Sequence, residues 1–146
     1  MNLEILSETE QNLLSQLIES AQHIVICCHK SPDGDAIGSS LAWAEYLRDR
    51  KKEPQIIIPD AFPDFLKWLP GIERMMRYDK HKEEADKIFA EADLIFCLDF
   101  NASTRVDDMQ TALDASPAQK VMMDHHLNPT MDTALTISHT DMSSTC

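Results

Sequence analysis

Five short apolar runs recur along this chain, and most are followed by a polar loop and a helical pattern. In order they are HIVICC, QIII, LIFCL, KVMM and TALTIS. They are short, rich in β-branched residues and bounded by turn signals, which marks them as strands. The first four show little alternation between apolar and polar positions. A strand that is apolar on both sides needs cover on both faces, and a parallel sheet layered by helices supplies it. The expectation is an α/β fold: a mostly parallel sheet with helices on both faces, in a single domain over residues 1–146.

The segments between the runs agree. Ser7 to Ser20 reads as an amphipathic helix, with Ser7 as cap and Glu10 completing a capping box. Leu13, Leu14, Leu17 and Ile18 form its apolar stripe. Ala36 to about Lys52 reads as a second helix, capped by Asp35. Leu41, Ala44, Tyr46 and Leu47 are its inward candidates. KHKEEADKIFAEA reads as a third helix with a solvated outer face, and a short fourth covers Val106 to Ala115. FPDFLKWLPGIER is irregular or briefly helical. Phe62, Phe65 and Trp68 in this region have the spacing of core packers, and stacking on a nucleobase is the alternative.

Charge and cysteines narrow the function. There are 13 basic and 25 acidic residues, a net charge of −12. That disfavours a sequence-independent grip on long nucleic acid, which needs basic surface. A small phosphorylated substrate stays open, because bound metal ions supply positive charge locally. No apolar window is long enough to span a membrane. The polar start MNLEILSETEQN is not a secretory signal, so a cytoplasmic protein is expected. Cys27, Cys28 and Cys97 sit inside apolar runs and read as buried thiols. Without a CxxC pair, a structural zinc site is not expected.

Open α/β sheets bind ligands at the carboxyl ends of their strands. His29, Asp33 and Asp35 follow HIVICC; Asp99 follows LIFCL; Asp124, His125 and His126 follow VMM. Singly, each has a bland explanation. Asp33-Gly34 suits a turn, Asp35 suits a helix cap, and Asp99 can simply end its strand. Jointly they do not, because carboxylates gathered on one rim repel each other unless a cation compensates. Oxygen and imidazole donors without thiolate suit Mn²⁺, Mg²⁺, Fe²⁺ or Zn²⁺. A pair of such ions clamps a displacement at phosphorus and generates hydroxide near neutral pH. HKSPDGDAIGSS lacks the glycines and lysine of a phosphate-cradling Walker A loop. No nucleophile elbow of a serine hydrolase is present.

These residues resemble the DHH phosphoesterase superfamily. HKSPDGDAIGSS fits its HxxPDxDAxGS motif, LDFNASTR supplies the strand-end aspartate, DHHLNP fits the name-giving motif, and SSTC at 143–146 opens the next one. Within the superfamily the chain looks most like the N-terminal half of bacterial oligoribonucleases of the NrnA type, which also act on adenosine 3′,5′-bisphosphate. RecJ exonucleases, cyclic-dinucleotide phosphodiesterases and family II inorganic pyrophosphatases are related members. The resemblance implies two Mn²⁺ ions, with Mg²⁺ or another divalent ion as the alternative. His29, Asp33 and Asp99 would hold one, and Asp35, Asp99 and His125 the other, with Asp99 bridging. His126 would meet the substrate, as acid to the leaving oxygen or as a phosphate contact. Asp124 would orient a histidine, and Asn101 and Arg105 would lend support.

The implied substrate is a short oligonucleotide or nucleotide phosphate. The alternatives are a cyclic or linear dinucleotide phosphodiesterase and an inactive metal-binding or interaction fragment. The family pattern carries a further metal-binding aspartate beyond SSTC and a glycine-rich C-terminal substrate-binding domain. Neither is found in these 146 residues, so a piece of a longer protein is expected.

Overall fold

The structure, a computed structural model, describes residues 7–98, 106, 109–124 and 135–138. Helix α1 (Glu8–Ser20) leads into strand β1 (Ile24–Cys28), helix α2 (Gly34–Asp49) and strand β2 (Gln55–Ile58). Two 3₁₀ turns, Asp64–Leu66 and Ile72–Arg74, precede the two-residue strand β3 (Met76–Arg77). Helix α3 (Lys82–Glu91), strand β4 (Leu94–Leu98), helix α4 (Gln110–Ala115) and strands β5 (Gln119–Asp124) and β6 (Leu135–Ser138) follow.

The six strands form one sheet in the order β3-β2-β1-β4-β5-β6. Every pairing is parallel. β1 and β4 are buried at all their positions, as two-sided cover requires. Alternate residues serve opposite faces. Ile24, Ile26, Leu94, Phe96 and Val121 pack with Leu17 and Ile18 of α1 and Ile37, Leu41 and Leu47 of α2. Val25, Cys27, Ile95, Cys97 and Met122 pack with Ala85 and Phe89 of α3 and Leu113 of α4. The sheet is therefore sandwiched, as the runs predict.

Local signals mostly act as expected. The Ser7–Glu10 capping box forms: Glu10 N donates to Ser7 Oγ at 3.2 Å, and Ser7 N to Glu10 Oε1 at 3.0 Å. The second helix differs from expectation at its start. Its cap is Asp33, whose Oδ1 accepts from the Ala36 amide at 3.0 Å, while Asp35 lies in the first turn. Both residue types cap well, but only Asp33 stands in the extended conformation an N-cap needs. Tyr46 is not inward: it is 41% exposed, stacked on Trp43 with the Arg50 guanidinium over its ring. Phe65 and Trp68 also depart from core packing, at 72% and 75% exposed. No helix among the described residues is long and apolar enough to cross a membrane.

At the amino rim of the sheet one side chain links two strand starts. Asp93 accepts from the backbone amides of Gln22 at 2.7 Å and His23 at 2.9 Å, joining the starts of β4 and β1. The chemistry-bearing loops leave from the opposite rim.

Candidate metal centre

The strand order fixes where a site belongs. From β1 the chain crosses α2 to β2 on one side, while β4 lies on β1's other side. Helices leave in opposite directions there and open a crevice at the carboxyl ends of β1 and β4. The register brings the strand exits into one row. Cys28 pairs with Leu98, and Leu98 pairs with Met123. The next residues in the chain are His29, Asp99 and Asp124. Three motifs far apart in sequence thus follow three neighbouring strands at the same level.

His29 is buried, with its ring beside the start of α2. Its Nδ1 lies 2.7 Å from the Lys30 carbonyl oxygen. A carbonyl only accepts, so Nδ1 carries the proton in that bond. In the neutral ring Nε2 then carries the lone pair, the form in which imidazole binds metal. Nε2 faces Asp33 Oδ1 at 3.7 Å. Two donors each about 2.1 Å from one ion stand roughly 3.0–3.4 Å apart in tetrahedral or octahedral geometry. The pair is close to that spacing. Asp33 caps α2 through the same oxygen, but a carboxylate has about four lone-pair sites and keeps capacity for a cation.

Asp35 is half-buried in the first turn of α2, and its Oδ1 accepts from Ser39 Oγ at 3.2 Å. The positive end of the helix dipole favours both carboxylates here. Asp124 ends β5, where its backbone pairs with Ser138. Asp99, Asn101, Arg105, His125 and His126 lie outside the described residues. Among the described residues, no group of three or more His, Cys, Asp or Glu side chains converges as a metal site. What they do provide is one histidine–aspartate pair and a second carboxylate, Asp35, on the same loop and helix start. That donor set suits a hard or borderline divalent ion.

Two supports were not among the sequence candidates. Asp60, just beyond β2, accepts from the Ser31 amide through Oδ1 at 2.6 Å. Ser31 has φ of 50°, a left-handed conformation unusual for a residue with a β-carbon. Asp60 therefore pins the loop between His29 and Asp33 in a bent form it would not favour alone. Asp60 is the acidic residue after QIII, so the strand-end rule that finds Asp99 and Asp124 also finds it. Ser39 stands four residues after Asp35, the spacing of helical neighbours.

The thiols beneath the rim are inert. Cys27 and Cys97 are paired across β1 and β4 and, with Cys28, are fully buried and in no disulfide. The Cys27 thiol is held well above its ordinary pKa by its hydrogen bond with Cys97 and by burial. A protonated buried thiol is a poor metal ligand, which leaves coordination to oxygen and imidazole.

Known structures share this fold. An exopolyphosphatase-related protein from Bacteroides fragilis superposes with a TM-score of 0.95 at 46% identity, over 99% of this chain and 42% of that one. This chain therefore spans less than half of that protein's length. RecJ from Thermus thermophilus, solved with Mn²⁺, aligns at a TM-score of 0.55 and 13% identity, over 97% of this chain and 19% of its own. An alpha-glucosyltransferase solved with UDP and DNA aligns at 0.59 and 14% identity, over 81% and 38%. At such identities the last two show only that the fold is shared. The model of the N-terminal domain of the DHH family matches residues 23–146, and with that match the chain belongs to the DHH family.

Proposed function

We propose that this chain is the metal-dependent catalytic domain of a phosphoesterase acting on short oligonucleotides or nucleotide phosphates. The observation that carries the reading is the His29–Asp33 pair at the switch point of the sheet. Its 3.7 Å separation and fixed imidazole tautomer suit a shared ion. It stands on the row whose neighbours lead into Asp99 and into Asp124-His125-His126.

Two divalent ions held at this rim would supply acidity to a bound water and positive charge to phosphoryl oxygens. His29 and Asp33 would hold the first ion, Asp35 and His125 the second, and Asp99 would contribute to both. His126 gives a proton to the leaving oxygen or holds the phosphate, and Asp124 orients a histidine. Asn101 and Arg105 support the substrate. Mn²⁺ is the proposed metal, a choice supported by the RecJ structure solved with Mn²⁺. A second domain that completes substrate binding is part of the proposal, since the match covers 42% of the Bacteroides fragilis protein. That relative's description as exopolyphosphatase-related favours a second reading, hydrolysis of phosphoanhydrides at the same site.

The test is hydrolysis of bis(p-nitrophenyl) phosphate with added Mn²⁺, followed by the dinucleotide pApA and inorganic polyphosphate. Mn²⁺-dependent turnover that is lost in His29→Ala is expected, with pApA preferred. Preference for polyphosphate selects the second reading. Mn²⁺ binding with no turnover of any substrate marks an inactive metal-binding piece.

A further inference from the structure

We infer that Phe65 and Trp68 form a stacking platform for a nucleobase of the substrate, beside the metal-binding loop. The inference rests on the proposed nucleotide-directed activity and adds the residues that recognise the base.

Both rings are unusually exposed for their size, at 72% and 75%. They are not on a floppy tip. The segment turns with 3₁₀-type bonds, Leu66 N to the Pro63 carbonyl at 3.0 Å, Lys67 N to Asp64 at 3.1 Å and Leu69 N to Leu66 at 3.1 Å. Residues three apart align in such turns. Leu66, Leu69 and Ile72 accordingly form the inward row packed on the core, with Phe62 against it as well. Phe65 and Trp68 share the outward row. Burying one row while leaving two large aromatics on the other makes a supported apolar surface, and such surfaces mark binding sites.

Its position and charges select the occupant. The segment leaves the carboxyl rim after β2, where Asp60 holds the Ser31 amide of the metal-binding loop. It ends at Gly71, where an added Cβ would stand 3.5 Å from Leu41 of α2. Leu41 lies eight residues beyond Asp33, about 12 Å along the helix. The aromatic pair is therefore strung between two anchors, one at the candidate site and one a short way down α2. The proposed occupant is a base adjoining a phosphoester held at the rim. Lys30, on the metal-binding loop, is exposed at the rim end of this path, and Lys67, between the two rings in sequence, is exposed with its ammonium 3.1 Å from Asp64 Oδ1. Aromatic faces interleaved with cations are how single-stranded nucleic acid is held without reading its sequence.

Two readouts test this on the 146-residue chain loaded with Mn²⁺. The first compares pApA with its abasic counterpart, which keeps the phosphodiester and lacks the bases. Wild type should prefer pApA at least tenfold in kcat/KM, and Phe65→Ala with Trp68→Ala should lose that preference through KM while abasic turnover is unchanged. Equal loss on both substrates, or none on either, overturns the platform. The second needs no turnover. A dinucleotide with a methylene in place of the scissile ester oxygen should quench Trp68 fluorescence, seen as the difference from Trp68→Phe, and its abasic form should not. Quenching without catalysis sinks the proposed activity but keeps the platform. Catalysis with neither quenching nor a lost preference does the reverse. Conversion of a dimer to a monomer by Trp68→Ala, with the base preference intact, assigns the patch to a second copy and overturns the inference.

Discussion

Asp33 has two jobs that substitution can separate. It caps α2 and faces His29. Asp33→Asn keeps a good cap and removes the charge, so stability should change by less than about 0.5 kcal/mol while Mn²⁺ affinity falls at least tenfold. Asp33→Ala removes both and should cost about 1 kcal/mol in urea unfolding as well. Equal Mn²⁺ affinity in wild type and Asp33→Asn would leave Asp33 with the cap alone. The thiols give an independent check. In a Cys146→Ser background, Cys27, Cys28 and Cys97 should resist alkylation in the native chain and react on unfolding. Because the Cys27 thiol pKa is raised in the folded chain, its contribution to stability is full below the unfolded thiol value, about 8.5. That contribution declines as pH rises above this value, where the unfolded chain ionises first. Labelling of native Cys27 at neutral pH would contradict the burial and bonding described.

At the level of elements, the end of α2 is the place to gain stability. Lys51 has φ of 65°, and the Lys52 amide reaches back to the Leu47 carbonyl at 3.0 Å, a helix stop that favours glycine at Lys51. Lys51→Gly should raise stability by about 0.5–1 kcal/mol, and Lys51→Val should lower it, both measurable by thermal unfolding. Sequence patterns revealed the elements wherever burial was uniform. β1 and β4 were legible because consecutive positions are apolar, a consequence of cover on both faces. β3 was not, since two residues carry no period. Asp33 and Asp35 both fit a cap, and only backbone geometry decides between them. Trp68 looked like core because composition does not reveal which row of a 3₁₀ segment faces inward. The rim itself was legible from the polar residues at each strand end, Asp60 among them, whereas the pinning of Ser31 by Asp60 and the Ser39–Asp35 bond depend on backbone and side-chain geometry.

For the molecule as a whole, the account turns on one topological fact. The switch between β1 and β4 sets the exits of strands distant in sequence side by side at the carboxyl rim, while Asp93 links the starts of the same two strands at the amino rim. The central claim is that this rim assembles a two-metal site bridged by Asp99. Calorimetric titration of Mn²⁺ into wild type and Asp99→Ala tests it most directly, with far-UV circular dichroism confirming the fold of both. Two ions should bind wild type, and Asp99→Ala should lose at least one with a tenfold or greater weakening of the other. Two ions bound by Asp99→Ala at undiminished affinity would contradict the claim.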